Sequence, residues 1–241
     1  ILTFYNYRFL FVIVTFFNQY CAKMAKIEFE ILGLQLLEPM ALILNLVMSF
    51  QSYYYYQKIK SNFCSPFSIH FRKFFLLSSV SFFFAAWSHL FFNYLGMAGK
   101  MPGFATTIIS IGMLEYAMVI YHYPKGNILL NYIIFFLVAG TFGLLIFKMT
   151  FLWVAIHTAI GIIFFLGMPF SIKILKGTNK VSFFFWGFVS MLMTLPIELF
   201  KFNFHLWLQH QDISHILMIF TLYCFSKGVD QSELININVK V

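Results

Sequence analysis

Five histidines stand in or beside long apolar stretches: His89, His157, His205, His210 and His215. Four carboxylates share that setting: Glu38, Glu115, Glu198 and Asp212. Neutral imidazoles with carboxylates suit Zn²⁺, and a water bound there becomes a nucleophile near neutral pH. The same groups suit proton handling, because imidazole titrates near neutrality. A plainer role competes with both. Polar side chains hold transmembrane helices together, at about 0.6–2 kcal/mol each. For His157, beside Thr158, that plainer role is the expectation. Glu38 precedes Pro39 and Glu198 follows Pro196, so both acids also sit where helices start or bend.

The composition says what must position these groups. Of 241 residues, 61% are hydrophobic, 22% aromatic and 10% charged. A soluble domain carries roughly 25% charged residues, so a soluble globular enzyme is excluded. Disorder needs low hydrophobicity and high charge, and a disulfide scaffold needs more than three scattered cysteines. An all-α, polytopic membrane protein remains. A spanning helix needs about 20 mostly apolar residues. Seven stretches qualify: 36–56, 74–97, 104–122, 128–147, 150–172, 181–200 and 209–226. The expected organisation is an N-terminal segment 1–35, a seven-helix bundle 36–228 and a cytoplasmic tail 229–241. Met24-Ala25-Lys26 reads as a natural start, with residues 1–23 upstream of it. No internal repeat supports a transporter built from inverted halves. The 35 Phe read as interchangeable lipid-facing side chains, not as a ligand pocket.

The net charge of +8 reads as loop placement, not as a nucleic-acid surface. Lys58, Lys60, Arg72, Lys73, Lys125, Lys173, Lys176, Lys180, Lys227 and Lys240 fall on one side of the expected bundle. Lys100, Lys148 and Lys201 fall on the other, with Arg8, Lys23 and Lys26. The excess of basic residues marks the first side as cytoplasmic, giving an outer N-terminus and a cytoplasmic C-terminus. At 1.5 Å per residue, His89, His157 and His215 then lie ~12, ~10 and ~9 Å below the outer end. His205, His210, Glu38, Glu198 and Asp212 lie near the same rim, and Glu115 lies deeper. His70 and His122 fall at the cytoplasmic interface.

The last stretch reads HQDISHILMIFTLY from His210. His210 and His215 are about 140° apart round a regular helix, whereas residues three apart share a face. Asp212 can therefore fix the tautomer of His215, or cap the helix start. With LLEPMALILNLVMSF and FFLLSSVSFFFAAWSHLFF, this segment resembles a bacterial family of uncharacterised membrane proteins. The architecture resembles the alkaline ceramidase and adiponectin-receptor superfamily of seven-helix membrane hydrolases. That resemblance implies a zinc held by one His of the second span and two of the seventh. His89 matches the first and His215 the last. Ala85 stands where the superfamily pattern has Ser, and Gln211 where it has the other His of span seven. The expected metal ligands are then His89 and His215, with His210, His157 or a carboxylate as the third, and Asp212 orienting or acting as acid or base.

Two functions follow as expectations. One is a metal-dependent hydrolase acting on a lipid amide or ester in a bacterial inner membrane. The other is a non-enzymatic receptor, ligand-binding bundle or proton-linked transporter using the same polar layer. Oligomeric state leaves no mark in the sequence. A retinal protein is disfavoured, because Lys227 lies at the cytoplasmic end of span seven. Walker loops and serine nucleophile elbows are absent.

Overall fold

Pro39 and Pro66 set the first two helix starts, since a fixed φ and a missing N–H cost nothing in a first turn. Helix α1 spans Pro39–Asn62 and α2 spans Pro66–Leu90. Ser65 caps α2, its Oγ accepting from the Ser68 N–H at 3.1 Å. The computed structural model describes residues 28–177, 182–201, 205 and 208–239. Through them run five further helices: α3 (Phe92–His122), α4 (Ile128–Lys148), α5 (Phe151–Leu175), α6 (Phe183–Phe200) and α7 (His210–Val239). Four of these, α2 to α5, are long and apolar enough to cross a membrane, and α6 contributes a shorter apolar helix. The expected start at Met24 and the upstream segment lie outside the described residues.

The helices differ from the sequence reading in informative places. Residues 57–73 were expected to form a loop, yet α1 runs to Asn62 and α2 begins four residues later. The loop is short because Phe63 turns extended, at φ −137°, and Pro66 restarts the helix at once. The second span was placed to end at residue 97. Instead α2 stops at Leu90, and the chain bends within α3 at Gly96, where φ is 52° and ψ −144°. Only glycine takes that conformation readily. The tail expected from 229 is helical through Val239.

One element lies outside an all-α description. Strands β1 (Glu28–Ile31) and β2 (Leu34–Leu37) pair antiparallel, with Glu28 opposite Leu37. Leu32 and Gly33 join them with φ of 53° and 79°. Two positive φ values in a two-residue loop match the twist of a hairpin. The Gln35 N–H donates to the Tyr94 hydroxyl at 2.9 Å, tying the hairpin to α3.

Small and hydroxylated residues let α1, α2 and α3 approach closely, as membrane helices do. Ser49 Oγ donates to the Ser79 carbonyl at 2.8 Å, Ser78 meets Ser110 at 2.7 Å, and Ser81 meets Thr107 at 2.6 Å. The centre of the bundle is aromatic. Phe71, Phe75, Phe170, Phe184 and Phe225 are almost wholly buried. Their rings stand 5.4–5.6 Å apart in the Phe170–Phe184, Phe71–Phe184 and Phe71–Phe75 pairs. The phenylalanines are therefore not uniformly lipid-facing. Phe135 and Phe136 do face outward, whereas these five build the core. Composition cannot separate the two populations.

At the α6–α7 contact the fit is reciprocal. A Cβ on Gly187 would lie 2.5 Å from the Phe225 ring, and one on Gly228 would lie 2.7 Å from Phe184. Valine at either glycine is expected to force the helices apart and cost about 1–3 kcal/mol. Thermal unfolding in detergent checks this, and Gly140→Val, where a Cβ meets nothing within 4 Å, serves as the control.

Candidate functional site

The hairpin has one consequence for chemistry: it delivers Glu38. This residue links β2 to α1 with φ 51° and ψ 59°, a left-handed conformation unusual outside glycine. Its Oε2 lies 2.7 Å from Nδ1 of His89, which is the penultimate residue of α2. The two side chains are 8% and 14% exposed, so the pair is largely shielded from solvent. A carboxylate on Nδ1 holds the imidazole in one orientation and leaves Nε2 to act. The sequence named Glu38 only as a span-end acid. Its partner could not be read there, because 51 residues separate it from His89.

His215, in the second turn of α7, stands edge-on to His89 with ring centroids 6.3 Å apart and planes at 88°. Its Nδ1 is buried without a hydrogen-bond partner among the described residues. Asp212 is buried, and its Oδ2 accepts from the Gln209 N–H at 2.9 Å. Of the two roles open to Asp212, this geometry is the helix cap: a residue in the first turn reaching back to a donor before the helix. Asp212 nonetheless lies within electrostatic reach of Glu38, His89 and His210. The orienting carboxylate thus belongs to His89, and it comes from Glu38.

His210 points elsewhere. Its Nε2 lies 3.8 Å from Glu198 Oε2, while Ser214 Oγ donates to Glu198 Oε1 at 2.7 Å. That trio ties the end of α6 to the start of α7. The 140° between His210 and His215 explains the division. His205 is exposed, and its backbone bridges to Leu208. His157 meets Glu115 of α3 at 3.3 Å, both side chains fully buried. The single layer expected from counting residues is thus resolved into three His–carboxylate pairings.

A zinc centre asks for three protein ligands around one point, with Zn–N near 2.0–2.1 Å. His89 and His215 are neighbours, but His210 is engaged with Glu198 and Gln211 stands at the remaining superfamily position. Among the described residues no three His, Cys, Asp or Glu side chains are arranged to hold one metal ion. The donor set in this arrangement does not fit the expected tri-His zinc, and no chemical step is derived through a metal.

Residues 40–234 match a family of unknown function, DUF6962. The chain belongs to that family. The match begins one residue inside α1 and ends in α7, so the helical bundle is the part that defines DUF6962 here. Glu38 and the hairpin lie just before the matched region, and His89, Asp212 and His215 lie within it. No curated protein and no solved structure matches the chain.

The two roles of Asp212 separate by substitution. Asp212→Asn keeps an acceptor for the Gln209 N–H, and Asp212→Ala removes it. The alanine variant is expected to lose about 0.5–2 kcal/mol of stability, and the asparagine variant markedly less. Unfolding midpoints of the two purified variants decide it.

Proposed function

We propose that this chain crosses the membrane seven times and that Glu38, His89 and His215, with Asp212 capping the helix that carries His215, form an acid–base centre hydrolysing a lipid amide or ester. The observation carrying the proposal is the 2.7 Å contact between Glu38 and His89, with His215 standing against the same imidazole. In this reading His89 Nε2 takes a proton from water as the water attacks the lipid carbonyl. Glu38 stabilises the resulting imidazolium. His215 then supports return of the proton to the leaving nitrogen or oxygen. General acid–base catalysis of this kind contributes about 10²–10⁴-fold. The resemblance to ceramidase-like bundles agrees with the substrate class, and a site at one rim of the bundle suits the head-group region of a lipid.

The non-enzymatic reading keeps weight for a specific reason. His215 Nδ1 is buried without a hydrogen-bond partner among the described residues, so the same cluster can hold a ligand or a proton without turnover. The two readings part on one assay. Full-length protein in phospholipid vesicles is given a fluorescent ceramide-type amide and a matching acyl ester. Release of fatty acid, reduced about 10²-fold or more by His89→Ala and by Glu38→Gln, is the expected result. Folded protein without turnover on either substrate would remove the hydrolase.

The orientation belongs to the same proposal, with the His89 end outside and the Lys58 end in the cytoplasm. Cys64 is exposed in the turn between α1 and α2, and Cys224 is buried. In a Cys21→Ser variant, a membrane-impermeant maleimide is expected to leave Cys64 unlabelled in intact cells and to label it after permeabilisation. Labelling of intact cells would invert the topology.

A further inference from the structure

Glu115 and His157 take no part in the acid–base centre, and they are the most thoroughly enclosed ionisable pair among the described residues. Their side chains are 0% and 1% exposed. Glu115 Oε1 lies 3.3 Å from His157 Nε2, within ion-pair reach but not aligned as a hydrogen bond. Both carboxylate oxygens and both ring nitrogens are buried without a hydrogen-bond partner. A buried polar group left without a partner forfeits its solvation with nothing in return. Oε1 and Nε2 face only each other, and Oε2 and Nδ1 have no hydrogen-bond partner, so the pair calls for an occupant or a function. Ionisable groups inside a membrane bundle that pair with one another mark ion pathways and proton relays.

The backbone around the pair is shaped for it. Helix α5 widens into a π-helical segment over Gly161–Gly167, beginning four residues after His157. Such segments occur often at functional sites. Gly161 lies directly against the acid: a Cβ there would sit 2.5 Å from Glu115 Oε1 and 2.9 Å from Ile111 Cγ2. The missing side chain is therefore what gives the carboxyl group its space.

We infer that Glu115 and His157 form an intramembrane proton-binding site, its carboxyl accommodated by Gly161 at the head of the π segment. The ligand is one proton taken from the medium. It forms an O–H bond to Glu115 Oε1 or an N–H bond to His157 Nε2, no bond in the protein breaks, and the net charge rises by one. The inference is independent of the hydrolase reading, because the two sites share no residue.

The surroundings leave the pair to itself. On α3 the flanking titratable groups are Tyr116, whose ring meets His70 of α2 at 4.7 Å, and His122, which meets Lys173 of α5 at 3.2 Å. Helix α4 offers Thr141 as its buried polar residue and α6 offers Ser190, and neither ionises. Among the described residues, His157 is the ionisable group in contact with Glu115.

Infrared difference spectroscopy of the full chain in lipid, titrated through the range where carboxyl and imidazole groups ionise, tests the site. A protonated-carboxyl band that changes with pH, shifts in heavy water and disappears in Glu115→Gln is expected. His157→Gln should move its midpoint by about one pH unit. A spectrum without a pH-dependent carboxyl band, or a band that survives Glu115→Gln, would overturn the inference. Should Glu115→Gln fail to fold, native and Gly161→Ala chains labelled with ¹³C-carboxyl glutamate replace it. The labelled band must then differ between the two, and identical titrations would equally overturn it.

Discussion

Inside a bilayer no water is available to complete a hydrogen bond, so each polar group must be satisfied by the protein itself. That constraint organises this structure. Among the described residues, backbone groups are taken up by helices, the Ser49, Ser78 and Ser81 hydroxyls by neighbouring helices, and His89 and His210 by carboxylates from other parts of the chain. Glu38 with His89 and Glu198 with His210 follow one rule, whereas Glu115 and His157 approach at 3.3 Å without completing a hydrogen bond. His215 stands against the Glu38–His89 pair with an Nδ1 that also has no hydrogen-bond partner among the described residues. A buried donor or acceptor kept without a partner fits a site better than a scaffold.

The opposite end of the bundle shows what the same groups do when they are structural. Lys58 meets Asp230 at 2.5 Å, and Ser65 donates to Glu233. These contacts fasten the second half of α7 to the α1–α2 turn, which is why α7 continues where a tail was expected. The aromatic core between α2, α5, α6 and α7 then holds the two ends in fixed relation. Phe184 and Phe225 rest on Gly228 and Gly187, so the approach of α6 to α7 depends on two hydrogen atoms. Through that packing the start of α7 is held where His215 can stand against His89.

The sequence made the large features legible. Apolar length located the helices, and the scarcity of charge made each intramembrane acid and histidine worth naming. Depth counting put His89 and His215 in one layer, since rise per residue is nearly constant along a helix, and their rings stand 6.3 Å apart. It could not show that His157 faces Glu115 of α3, because depth says nothing of which way a side chain faces or how a helix is bent. The kink at Gly96 and the π segment of α5 both alter that geometry, and neither has an unambiguous signature in one sequence. The hairpin was hidden for another reason. Eight paired residues with mixed polarity give no clear two-residue period, and the left-handed turn at Glu38 is carried by a residue type that rarely adopts it. Glu38 was visible as an acid, but its role depended on that turn.

Everything proposed for the outer centre rests on Glu38 and His89 acting as one unit. A double-mutant cycle on unfolding stability, using Glu38→Gln, His89→Gln and the paired variant, measures that directly. A coupling of about 0.5–3 kcal/mol is the expected result for groups in such contact. Additivity of the two single changes to within about 0.3 kcal/mol would show that the pair does not form, and would contradict the centre built on it.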